Sequence, residues 1–268
     1  MCTSAAKASK SLLATQSSLP LWGAHAQLER LRGRLDDARK VYQTVLIASR
    51  PKNTEQVVAL LWWNWAEMEW LAGGEQQALN VVLKSVGMEG AGSGVTLLRA
   101  KRSLEDLGSS KEREPWIKLR ALLELLTGHQ PEMALEVFDR FALSESLETS
   151  ALLMVYHYGF VLRQPMPPSI LRDRAYAAFD RYPSNSIILG MLLEAEKGQG
   201  VWGRVRAMLG SNDGKAKGVA RRVEEIWIAR WEQGRWLSEV ERTRNGLAAA
   251  VEHERRVLHS NVNGRLFI

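Results

Sequence analysis

A pattern that recurs at a fixed offset of 40 residues constrains this chain more than any other feature. One segment runs from Leu21-Trp22 through Ala26, Leu28 and Glu29 to Gly33, then Ala38-Arg39-Lys40-Val41-Tyr42. A second runs from Leu61-Trp62-Trp63 through Ala66, Met68 and Glu69 to Gly73, then Ala78-Leu79-Asn80-Val81-Val82. Trp to Glu is seven residues in both, Glu to Gly four, and Gly to Ala five. A fixed period in this range marks a helical-repeat array.

Each position has a physical reading. Trp22, Ala26 and Glu29 fall at i, i+4 and i+7, one stripe of a helix. Trp and Ala pack inward, and the small Ala admits a neighbouring helix. Gly33 and Gly73 supply positive φ at a helix C-terminus. Ala38 and Ala78 open the inner face of a second helix, continued by Val41, Val45 and Val82. Each unit is thus a helix hairpin with one apolar side, which it can bury only by stacking on another. If Trp22 and Trp62 are core, truncating either to Ala costs roughly 3–5 kcal/mol.

Weaker copies follow. Trp116, Glu124, Gly128 and Ala134 keep the order with spacings of eight, four and six. Ile187, Glu194, Gly198 and Gly203 keep seven, four and five. Between them, Leu152 to Leu162 and Ile170 to Tyr182 are expected to form another hairpin, split by Pro165, Pro167 and Pro168. Ile226 to Glu232 with Gly234, then Val240 to Leu258, form a degenerate last one. Leu266-Phe267-Ile268 reads as the opening of a further helix, so the chain is expected to be a segment of a longer array. Loops are expected near 87–94, which carries four glycines, and near 211–218. Asp106 to Glu114 is polar and leads to Pro115, a helix start. Neither loop is long enough to separate domains, so residues 1–268 read as one domain. No strand-like alternation persists, and the expected class is all-α, an α-solenoid of antiparallel helix hairpins.

The composition agrees with a globular chain: 46% hydrophobic and 25% charged. The 36 basic and 30 acidic residues leave a net charge of +6, compatible with RNA or an acidic protein partner and diagnostic of neither. A single cysteine, Cys2, excludes an internal disulfide and any multi-cysteine zinc site, and suits a reducing compartment. The first twenty residues lack the apolar core of a secretory signal, and no apolar run reaches the roughly 18 residues of a spanning helix. No membrane association is expected.

The order Trp, Ala, Glu, Gly, Ala-Arg and aromatic resembles the half-a-TPR repeat, most closely in Leu19-Pro20-Leu21-Trp22 through Leu28-Glu29 with Ala38-Arg39-Lys40-Val41-Tyr42. That repeat class occurs almost entirely in RNA-processing proteins, among them splicing and 3′-end cleavage factors. Within it, Leu-Pro-Leu-Trp and the tail Arg255-Arg256-Val257-Leu258-His259-Ser260 running into Leu266-Phe267-Ile268 are similar to the nuclear RNAi-defective family, with its "necessary for RNA interference" domain. The resemblance implies a nuclear scaffold in RNA surveillance, splicing or RNAi-linked gene silencing, associated with the exosome's RNA helicase or with splicing factors. The family's helicase-docking segment has no match here.

Catalytic chemistry is thin. Gly198-Gln199-Gly200-Val201-Trp202-Gly203 fits the dinucleotide fingerprint in letters, but the fingerprint needs a strand before it. Here Ile188 to Lys197 has helical spacing, so a turn between helices is expected. His25, His129, His157, His253 and His259 form no metal-binding pair. Asp36-Asp37 and Glu224-Glu225 start or line helices, where they favour the helix dipole. No catalytic residues, metal ligands, cofactor or small-molecule substrate are expected, and the chain does not read as an enzyme.

The candidate interface residues are aromatic and basic. Trp62 and Trp65 fall near one helical face, and Trp63 and Trp70 near another. One set is expected in the core, and the other against an adjacent helix or a partner. Arg221-Arg222 and Arg255-Arg256 read as solvated surface or as a basic strip for RNA phosphates or an acidic peptide. A protein-protein scaffold is the leading reading, with a direct RNA-binding module or a splicing or 3′-end-processing scaffold as alternatives.

Overall fold

The computed structural model describes residues 8–13, 18–49, 56–88, 93–109, 114–141 and 144–197. Their regular structure is entirely helical, with no strand among them. Packing divides the chain into two compact units, Met1–Gln164 and Pro165–Ile268.

In the first unit, after a short helical stretch at 8–13, the helices are α1 (Leu19–Leu31), α2 (Leu35–Tyr42), α3 (Gln56–Leu71), α4 (Glu75–Ser85), α5 (Gly94–Gly108), α6 (Glu114–Gly128), α7 (Pro131–Asp139) and α8 (Glu145–Tyr156). The second unit's described helices are α9 (Pro168–Arg181) and α10 (Ser186–Lys197). Local sequence chemistry explains most starts. Pro20, Pro131 and Pro168 stand in the first turns of α1, α7 and α9, where the missing N–H costs nothing. Ser93, Ser144 and Asn185 cap α5, α8 and α10, their side-chain oxygens accepting from the backbone N–H of Thr96, Leu147 and Ile188. α2 and α8 end in wide turns, in which Ser49 N–H bonds Thr44 C=O and Leu162 N–H bonds His157 C=O, five residues back.

The two strong copies close by the same turn. Gly33 N–H bonds Arg30 C=O while Arg34 N–H bonds Glu29 C=O, and Gly73 N–H bonds Trp70 C=O while Gly74 N–H bonds Glu69 C=O. This pair of hydrogen bonds is the Schellman motif, and it needs a left-handed residue, with φ +76° at Gly33 and +82° at Gly73. A Cβ at Gly73 would meet nothing within 4 Å. Gly73→Ala is therefore expected to lose roughly 1–2 kcal/mol through conformation alone, read by urea denaturation. An unchanged midpoint would mean that this turn does not hold the hairpin.

α1 packs on α2, α3 on α4, and α6 on α7. Each first helix also meets the next: α1 touches α3, α3 touches α6, and α6 touches α8. Ala26, Ala38, Ala66 and Ala78 are fully buried at these crossings, where small side chains let backbones approach. In the second unit α9 packs on α10.

α5 departs from the repeat expectation. It begins at Gly94, inside the expected glycine loop, and runs past Asp106 to Gly108. It lies on α6 through Ala100, Leu104 and Gly108, all buried. The expected loop near 211–218 lies outside the described residues. No helix among the described residues is long and apolar enough to cross a membrane.

Candidate interaction surface

The signature residues converge on the junction between the first two hairpins. Arg39, on α2, reaches α3 and donates to both oxygens of Glu69, Nε to Oε1 and Nη2 to Oε2, each at 2.8 Å. Its third nitrogen, Nη1, donates to Asp36 Oδ1 at 2.7 Å. Trp65 Nε1 donates to Glu69 Oε1 at 3.0 Å. Two parallel charge-assisted bonds are strong and geometrically specific. The Glu69 bonds raise the Arg39 pKa against the opposing effect of burial, with Asp36 adding to the rise. Thus the Ala-Arg of one hairpin and the Glu of the next, read in the sequence as separate marks, are partners.

Aromatic stacking runs beside this clamp. Tyr42 lies on Trp65 with centroids 5.9 Å apart, and Trp65 on Trp62 at 5.7 Å, both nearly parallel. Gln27 Nε2 donates to the Tyr42 hydroxyl at 3.1 Å, and burial pushes that phenol's pKa up. Arg30 on α1 pairs with Glu67 on α3 at 3.0 Å.

The device is varied along the unit. Glu29 stands where Glu69 does, but Arg32, three residues on in the same chain segment, supplies its cation at 2.8 Å. The other oxygen, Oε2, is buried without a hydrogen-bond partner among the described residues. His25 replaces Trp65, and its Nδ1 meets Ser9 Oγ at 2.8 Å. In the third copy Glu124 on α6 accepts from Lys101 Nζ on α5 at 2.6 Å and from Arg120 Nη1. Burial pushes the Glu124 carboxyl up, but the bonds from Lys101 and Arg120 outweigh it and hold it below its ordinary 4.5.

That shift predicts a pH dependence. A carboxylate with a folded-state value below its unfolded one stabilises the fold above the unfolded value, and this contribution disappears as pH falls through the folded value. Melting temperature should therefore drop for the parent protein as pH falls below about 4.3. For Glu124→Gln the drop should be smaller, because a neutral amide has no such charge to lose. Parallel curves for the two proteins would contradict the assignment.

Several sequence expectations change here. Trp22 is only partly buried, so its truncation is expected to cost less than that of buried Trp62. Trp63 and Trp70, named above with core, an adjacent helix or a partner as alternatives, are both buried. Lys118 Nζ lies 5.6 Å over the Trp63 ring, and Trp70 meets His157 edge-on at 6.3 Å. α3 is covered by α1, α2, α4 and α6, so both of its tryptophan faces find neighbours within the chain. Burial lowers the His157 pKa. In the third copy the left-handed residue is His129, at φ +51°, and not Gly128. In the fourth, Ile187 is 51% exposed while Glu196 is fully buried, so the inner face runs through Ile188, Leu192 and Glu196 in place of Ile187 and Glu194.

Among the described residues no group of three or more His, Cys, Asp or Glu side chains could hold a metal ion. The 198–203 glycine pattern, Arg221, Arg222, Arg255, Arg256, His253, His259 and the chain's last residues lie outside the described residues.

Among the exposed surfaces of the first unit is the solvent face of α5. Val95 and Leu98 are 61% and 68% exposed, and Arg99 and Arg102 beside them are exposed. No protein-family model, curated protein or solved structure matches this chain.

Proposed function

We propose that this chain is a non-enzymatic helical-repeat scaffold, an α-solenoid of half-a-TPR-like hairpins that holds protein partners together in nuclear RNA processing, RNA surveillance or RNAi-linked silencing. The observation that carries the scaffold reading is the Arg39–Glu69 clamp, formed by signature residues of successive hairpins. A second junction, Lys101 to Glu124, uses the same charges in the same direction along the chain. Contacts from each first helix to the next support stacking, the way a repeat buries the face it cannot bury alone. The nuclear RNA setting, and the exosome's RNA helicase or splicing factors as partners, rest on the resemblance of the Leu19–Tyr42 segment and the Arg255–Ile268 tail.

Affinity capture of the tagged chain from nuclear extract, with and without nuclease and read by mass spectrometry, tests the proposal. The expected result is recovery of exosome-helicase or splicing components that survives nuclease. Loss of every partner on nuclease treatment would replace the protein scaffold with a direct RNA-binding module.

A further inference from the structure

We propose that the outer face of α5 docks an acidic segment of a partner protein that carries aliphatic side chains at helical spacing. The inference rests on the scaffold reading for the class of partner, and on α5 alone for the surface.

α5 buries Ala100, Leu104 and Gly108, spaced i, i+4 and i+8. On the opposite face, Val95, Leu98, Arg99 and Arg102 fall at i, i+3, i+4 and i+7, one contiguous stripe. Two large aliphatic side chains stand in water at its N-terminal end, where burial against a partner would be favourable.

The charges choose the occupant. Cations nearby are already engaged: Lys101 and Arg120 with Glu124, Lys118 with Glu114, and Arg140 with Glu105. Arg99 and Arg102 make no ion pair among the described residues. They lie next to the exposed aliphatics, which complements a segment of aliphatic and carboxylate residues. Nucleic acid would use the arginines but gain little from Val95 and Leu98. Asp106 follows at the C-terminal end of the same face, so an acidic segment that slid that way would be repelled, which fixes its register.

The test is fluorescence anisotropy with the full chain. The probe is a fluorescein-labelled synthetic peptide with Leu at i and i+3 and Glu at i+4 and i+7. A peptide with Ser in place of each Leu and an oligo(U) RNA serve as competitors. The expected result is saturable binding of the Leu/Glu peptide, weakened at least about tenfold by Arg99→Glu with Arg102→Glu, through like-charge repulsion, and separately by Leu98→Gln. All four stripe residues are exposed, so circular dichroism should match the parent for each variant. Absence of saturable binding, or binding that these substitutions leave unchanged, would overturn the proposal. So would oligo(U) displacing the peptide with an affinity that the arginine variants abolish. A failure here with nuclease-resistant capture intact removes α5 as the surface and leaves the scaffold, whereas nuclease-sensitive capture removes the scaffold itself.

Discussion

Trp65→Ala should lower the free energy of unfolding by about 3–5 kcal/mol, the range for a large aromatic deleted from a packed interior. The site has little room to collapse. The indole is sandwiched between Tyr42 of the first hairpin and Trp62 of its own helix, and its N–H is one of the bonds that hold the Glu69 carboxylate. Removing it opens a cavity at the junction of two hairpins and takes a donor from a buried charge. Guanidinium denaturation measures the change, with Trp22→Ala as the internal comparison. Trp22 is only partly buried, so its loss should be clearly the smaller. Equal losses would mean that the aromatic stack does not carry the junction.

Arg39→Ala should cost nearly as much, about 3 kcal/mol, for a different reason. It leaves Glu69, 3% exposed, as a buried carboxylate with the Trp65 N–H as its remaining donor. An uncompensated buried charge is among the costliest single defects, at about 3–5 kcal/mol. Glu69→Gln should be milder, because the Arg39 side chain is 33% exposed and water can solvate the guanidinium it strands. Arg140→Ala is the control. Its bond to Glu105 is of similar length, 3.0 Å, but both partners are about half exposed, and such pairs contribute about 1 kcal/mol or less. A double-mutant cycle on Arg39 and Glu69 would report the coupling directly. A coupling no larger than that of Arg140 with Glu105 would sink the clamp as the element joining the hairpins.

Much of the hairpin architecture was readable because its signals are local. A glycine that must turn left-handed and an alanine five residues on that admits a neighbour both act within a few residues. Gly33, Gly73, Ala38 and Ala78 therefore stand where the spacing puts them. The third and fourth copies drifted because spacing alone does not say which residue takes the strained position or faces inward. His129 turns the chain in place of Gly128, and Glu196 is buried in place of Glu194. α5 was missed because it buries a narrow line of Ala100, Leu104 and Gly108, which lacks the Trp and Glu that mark the other helices.

By itself, the sequence determined the helical class, the 40-residue offset, the ends of the first two hairpins and the small residues at their crossings. These follow from backbone conformation and side-chain size, which a residue carries wherever it lies. Only the tertiary structure decided who meets whom. It paired Arg39 with Glu69 across 30 positions of chain, and it gave Lys101 to Glu124. It turned both tryptophan faces of α3 inward, because α1, α2, α4 and α6 pack around them. It also left Val95, Leu98, Arg99 and Arg102 facing solvent on α5. Charge and hydrophobicity are properties of residues, but whether they are satisfied depends on what the fold brings against them, and that is a property of the packing.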